Sequence, residues 1–146
     1  MNLYRFRQNN SGGSWDLNEW TTITMVIEAE TGEAANRIAE QETSIYYNGC
    51  SKGMDCSCCG DRWDETYTGR SGEEFDKIDD FEKFLKHDIK YNKEWINEDY
   101  HDKITVVIVF FRDGLTNKYY ATGRVEHLSY EESAKARNRM QRDMFL

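Results

Sequence analysis

The segment GCSKGMDCSCCGDRW, residues 49–63, holds all four cysteines of the chain. Cys56, Ser57, Cys58, Cys59 and Gly60 read C-x-x-C-G. In this knuckle spacing two thiolates turn back on one ion and a glycine takes the tight backbone. A closed structural zinc site needs four ligands, and the chain has no second C-x-x-C. Cys50 is the expected third ligand, brought back by the short SKGMD turn with its own Gly53. Cys58 is harder to place beside Cys59 on one ion, because neighbouring side chains diverge in a tight turn. The fourth ligand is then a distant His101 or His127, a residue of a partner, or Cys58 after all. Two other chemistries stay open. One is reduced thiols without metal. The other is a Cys50–Cys58 disulfide or a redox pair, disfavoured because cytosolic proteins rarely hold stable disulfides and because GDRW does not open a helix as a thioredoxin-like motif does. Zinc, in a structural role, is the expectation carried forward.

Asp61, Arg62 and Trp63 follow the knuckle and are the candidate contacts for a partner or ligand. Arg and Trp beside a rigid loop could stack on a base. The competing reading packs Trp63 under the loop and pairs Arg62 with a nearby acid. Catalysis has less to stand on: the sequence shows no P-loop, no nucleophile elbow and no H-E-x-x-H, and the His-x-Glu that a zinc deaminase needs is missing. The acid pairs Glu73–Glu74 and Asp79–Asp80 stand at or before helix starts, where capping explains them. The chain is therefore expected not to be an enzyme.

The elements that must position this loop can be read from periodicity. NLYRFRQ is aromatic enough for a strand, and NNSGGS reads as a flexible turn. TTITMVIEA is a continuous β-branched run, so a well-buried strand. It leads into ETGEAANRIAEQE, a helix capped by Thr31 with Ala35, Ile38 and Ala39 on its apolar stripe. SIYYN reads as a short strand entering the cysteine loop. Asp79 and Glu82 form an acidic capping pattern for a helix whose Ile78, Phe81, Phe84, Leu85 and Ile89 share one face. ITVVIVFF is the strongest strand, and Asp113-Gly114 turns it into a returning one. SYEESAKARNRMQRD carries a Ser129–Glu132 capping box and a basic end with Lys135, Arg137, Arg139 and Arg142. The order predicts one α+β domain over residues 1–146, with an antiparallel sheet of four to five strands, helices packed on one face and the cysteine loop inserted. Val26, Ile27, Ile38, Phe81, Phe84, Leu85, Ile89, Val107 and Val109 are its expected core.

Composition narrows the class. The 146 residues are 38% hydrophobic, 32% charged and 14% aromatic, too aromatic for a disordered chain and too polar for a membrane protein. No apolar run approaches the roughly 20 residues of a membrane span, and MNLYRFRQNN lacks the apolar segment of a signal peptide. A soluble intracellular protein is expected. The net charge of -8 is uneven: seven acids face four bases over residues 1–54, fifteen face seven over 55–102, and five face eight over 103–146. Such acidity disfavours general nucleic-acid binding and suits a basic partner. An acidic DNA mimic is the sharper alternative, opposed by the lysines and arginines that interrupt the acidic stretch.

YRFRQNNSGGS, IEAETGEAANRIAE and YYNGCSKGMDCSCCGDRW together resemble a group of small, largely uncharacterised tailed-bacteriophage proteins that carry a D-C-x-C-C-G-D-R-W segment. The resemblance covers residues 1–63. It implies a phage accessory protein in the host bacterial cytoplasm and brings no catalytic residues with it. The expected function is a non-enzymatic binder that modulates or inhibits a host protein. A small-ligand or nucleic-acid module using Arg62, Trp63 and the basic C-terminal helix is the alternative.

Overall fold

The computed structural model describes residues 1–67, 74–129 and 132. Its centre is one sheet of six strands: β1 Asn2–Arg7, β2 Thr24–Ala29, β3 Lys77–Ile78, β4 Thr105–Phe110, β5 Thr116–Tyr120 and β6 Val125–Leu128, with α1 Gly32–Glu42 and α2 Phe81–Lys93 between strands in the chain. The spatial order is β3-β1-β2-β4-β5-β6. Neighbours run antiparallel except β2 and β4, which are parallel.

That parallel pair corrects the expected sheet of four to five antiparallel strands. Every residue of β4, and every residue of β2 but Glu28, is buried. Strands covered on both faces read as continuous apolar runs instead of alternating ones, which is the habit of parallel strands. The expectation that the helices share one face fails with it. On one face Tyr4, Phe6, Met25, Ile27, Ile108 and Phe110 pack with Ala35 and Ala39 of α1. On the other, Val26, Val107 and Val109 pack with Phe84, Leu85 and Ile89 of α2. The period-2 alternation of side chains sends Val26 and Ile27 to opposite helices. Phe81, Phe84, Leu85 and Ile89 do share the inward face of α2, but each is only partly buried.

Local signals fix the boundaries. Thr31 caps α1 as expected, its hydroxyl accepting from Ala34 N at 3.1 Å. The cap of α2 falls one residue later than the sequence pattern suggests, on Asp80, which accepts from Lys83 N at 3.1 Å. At the β4–β5 turn Gly114 takes φ 94°, a region an L side chain avoids. Residues 44–48 form no strand. Ile45 and Tyr47 nevertheless plug the α1-side core, and Tyr47 Oη donates to Asn36 O at 2.9 Å. Ser129 and Glu132 exchange the reciprocal bonds of a capping box, at 3.4 and 3.3 Å. The basic helix expected beyond them, with Lys135, Arg137, Arg139 and Arg142, lies outside the described residues. No helix among the described residues is long and apolar enough to cross a membrane.

Candidate metal centre

The cysteine loop is irregular backbone, and its shape comes from two aspartates. Asp61 Oδ1 accepts from Cys50 N at 2.8 Å. Asp55 accepts from Arg62 N at 2.9 Å and from the Tyr46 hydroxyl at 2.6 Å. Each carboxylate thus closes a stretch of loop on itself, as Asp side chains do in turns. Gly49 sits where the crossing is tightest: a Cβ there would lie 1.8 Å from Asp55 Oδ2. Both tyrosine and thiol register the crowding. Burial, then the Asp55 hydrogen bond, pushes the Tyr46 hydroxyl up to about 12, and burial, then the Asp61 carboxylate, pushes the Cys50 thiol up to about 11.

The chain between β1 and β2 supplies the platform. Arg62 donates from Nη1 to Gln8 Oε1 at 2.8 Å and Ser14 O at 2.9 Å, and from Nη2 to Ser11 O at 3.0 Å. Asn9 Nδ2 donates to Cys59 O at 2.8 Å and Asp61 O at 3.2 Å. Ser11 Oγ accepts from Cys56 N at 3.0 Å. Trp63 ends the loop inside the α1-side core, 1% exposed.

On this frame the knuckle turns tightly. Cys56 O accepts from both Cys59 N, at 3.2 Å, and Gly60 N, at 3.1 Å, and Gly60 takes φ 90°. The turn gathers the sulfurs of Cys56, Cys58 and Cys59, all within 4.8 Å of one another. Cys58 and Cys59 are exposed and Cys56 half-buried. With Zn–S bonds of about 2.3 Å, tetrahedral geometry puts two thiolates about 3.8 Å apart. Cys58 and Cys59 Sγ are 3.8 Å apart, and Cys56 and Cys58 Sγ are 2.8 Å apart, so an ion would spread the second pair and leave the first in place. Hydrogen bonds from Cys58, then Cys59, bring the Cys56 thiol down to about 7. Its own hydrogen bonds with Cys56, then Cys59, push the Cys58 thiol up to about 11. A cation among the three would remove that opposition, because all three bind as thiolates.

The expected ligand set changes accordingly. Cys58, thought to diverge from Cys59, joins the cluster, because the double acceptance by Cys56 O curls both residues to one side. Cys50 does not join it: its thiol donates to Cys56 O at 3.3 Å. Neither histidine takes part. His101 Nε2 bonds the Ile96 carbonyl at 2.9 Å just past α2, and His127 Nδ1 meets Asn117 Oδ1 at 2.7 Å across β5 and β6. All four cysteines carry free thiols. Of the candidate contact residues, Trp63 has no ring face open to a ligand and Arg62 braces the loop, while Asp61 is engaged by Cys50 N. Sequence reasoning missed Gln8, Asn9, Ser11 and Asp55; the only trace of them is the polar run QNNS and an acid directly before Cys56.

No curated protein and no solved structure matches the chain. Residues 1–129 match a family described as a domain of unknown function (DUF7296), a match that spans the whole sheet and the cysteine loop, and the chain belongs to that family.

Proposed function

We propose that this chain is a small non-enzymatic binding module, a phage accessory protein that modulates a host bacterial protein in the cytoplasm through a loop stiffened by zinc. The observation that carries the metal is the cluster of three thiols within 4.8 Å on an exposed, internally braced turn. Three soft sulfur donors suit zinc over magnesium or calcium, which take oxygen. Cys56, Cys58 and Cys59 hold the ion, and its fourth position is filled by water or by a residue of the partner. The net charge of -8 supports a basic partner, since opposite charge speeds encounter. The phage setting rests on the resemblance over residues 1–63.

Elemental analysis of reduced protein purified without chelator tests the metal. Zinc is expected at about one per chain, lost in Cys56→Ser and retained in Cys50→Ser. Freshly reduced protein free of metal would refute the site. The partner is tested by co-sedimentation with host proteins before and after chelation: a complex of fixed stoichiometry that weakens on zinc removal is expected, and one indifferent to zinc separates the loop from binding.

A further inference from the structure

Lys118 of β5 is the only buried lysine or arginine among the described residues, 4% exposed. It stands opposite Ile108 of β4 and Glu126 of β6, so it shares the α1 side of the sheet. Its Nζ lies 3.6 Å from the centroid of the buried Trp20 ring and forms no hydrogen bond or ion pair among the described residues. An ammonium carries three donors and is strongly hydrated, so this placement is costly. Burial pulls the amine below the ordinary lysine value of 10.5, against the attraction of Glu19 and Glu126.

The side chain lines a cleft of about 310 Å³, together with the apolar Leu17 and Ile104 and with Thr105 and Tyr120 of the sheet. That volume stands at the small end of ligand sites. Thr105 is paired with Tyr120 in the ladder, and Lys118 lies two residues along the same face. Diagonal neighbours of this kind are roughly 7–8 Å apart, within reach of a long side chain. The Thr105 Oγ1 is buried and has no hydrogen-bond partner, whereas the Tyr120 hydroxyl already donates to Glu126 Oε1 at 3.1 Å. The cleft thus holds an amine and a hydroxyl that are both buried and both short of a hydrogen-bond partner.

We propose that Lys118 takes up a small aldehyde or ketone in this cleft as a Schiff base, with the Thr105 hydroxyl as the contact for the carbonyl oxygen. Addition needs the neutral amine, the form that burial favours, and lysines desolvated among apolar groups are the ones that form Schiff bases. The nitrogen bonds to the carbonyl carbon, and the oxygen then leaves as water with two of the three hydrogens of the ammonium. One hydrogen stays on the nitrogen, so the product is a protonated imine of unchanged charge. The contact with Trp20 and the attraction of Glu19 and Glu126 are therefore kept, while one N–H in place of three loses less hydration on burial. An acylated amine would forfeit that charge. The site uses no residue of the metal loop and does not depend on the proposed function.

The test is reductive trapping in the folded full chain. Protein is incubated with limiting propanal, reduced with cyanoborohydride, digested and mapped by mass spectrometry. Lys118 is expected to take the propyl label ahead of Lys103, which lines the same cleft but is exposed, and to saturate with propanal while Lys103 rises in proportion. The preference should vanish in the urea-unfolded chain. Thr105→Val keeps the β-branched shape and deletes only a hydroxyl without a partner, so it spares the fold; it should lower Lys118 labelling about fivefold, the scale of one hydrogen bond, and leave Lys103 labelling unchanged. The proposal is overturned if Lys118 labels no faster than Lys103, if its preference survives unfolding, or if Thr105→Val labels as the parent does.

Discussion

Arg62 is the residue whose removal best separates a brace from a binding contact. Its side chain is 12% exposed, and Asp55 beside it is 1% exposed, with Nε 3.9 Å from Oδ1. Arg62→Ala withdraws three hydrogen bonds from Gln8, Ser11 and Ser14. The bond to Ser14 O is exposed, so water replaces it at little cost. The other two acceptors belong to the buried Gln8 and Ser11, and leaving each short of a donor costs about 1–1.5 kcal/mol. The ion pair with Asp55 is long, and that carboxylate keeps its bonds from Tyr46 and the residue 62 amide, so its loss adds only about 0.5 kcal/mol. The sum is about 3 kcal/mol. For a urea dependence near 2 kcal/mol per molar, the unfolding midpoint should fall by about 1.5 M. Arg62→Lys reaches one acceptor without the planar fork and should recover about 1 kcal/mol of this. Urea unfolding followed by tryptophan fluorescence, with metal removed from parent and variants alike, measures it. A midpoint lowered by less than about 0.3 M, together with a lost partner complex, would show that Arg62 serves the partner and not the loop.

Other expectations concern the core, pH and salt. Phe110→Ala, at a ring 2% exposed, should cost about 3–5 kcal/mol in chemical denaturation, whereas half-buried Phe84→Ala should cost about 2 kcal/mol; equal costs would contradict the burial of α2. Glu74 accepts from the Tyr4 hydroxyl at 2.6 Å and Gly32 N at 2.7 Å, and the first of these, then the second, holds its carboxyl below the ordinary 4.5. A depressed carboxyl stabilises the fold fully above its ordinary value and loses that contribution as pH falls through the folded one. Glu74→Gln should therefore start less stable at neutral pH and lose less between about pH 5 and 3 in urea titrations; a parallel curve would refute the linkage. Raising salt from about 50 to 200 mM should weaken the partner complex only modestly, since screening acts over about 8–10 Å and spares close apolar contacts. A thousandfold loss, the scale of many broken phosphate contacts, would restore the DNA-mimic reading.

What the sequence reveals here is whatever depends on neighbours in the chain. Thr31 beside an apolar stripe, Asp113-Gly114 after a β-branched run and the twin runs of β2 and β4 all declare themselves within a few residues. Where two helices lie relative to a sheet does not, because continuous burial of Val26 and Ile27 says that both faces are covered without saying by what. The metal cluster shows the same divide. Spacing ranks Cys50 above Cys58, since it counts residues between sulfurs, but the sulfurs go where the backbone is tied. Asp61 ties the Cys50 amide from eleven positions away, whereas Cys56 O, by accepting from Cys59 and Gly60 together, curls Cys58 inward. The run NNSGGS, read as a flexible turn, holds Asn9 and Ser11, whose bonds to Cys59 O and Cys56 N fix the knuckle against β1. Polar residues that look like solvated linker are thus the frame of the site. Pattern reading undervalues them because each acts through hydrogen bonds to backbone atoms roughly fifty residues away, and such bonds follow no period in the sequence.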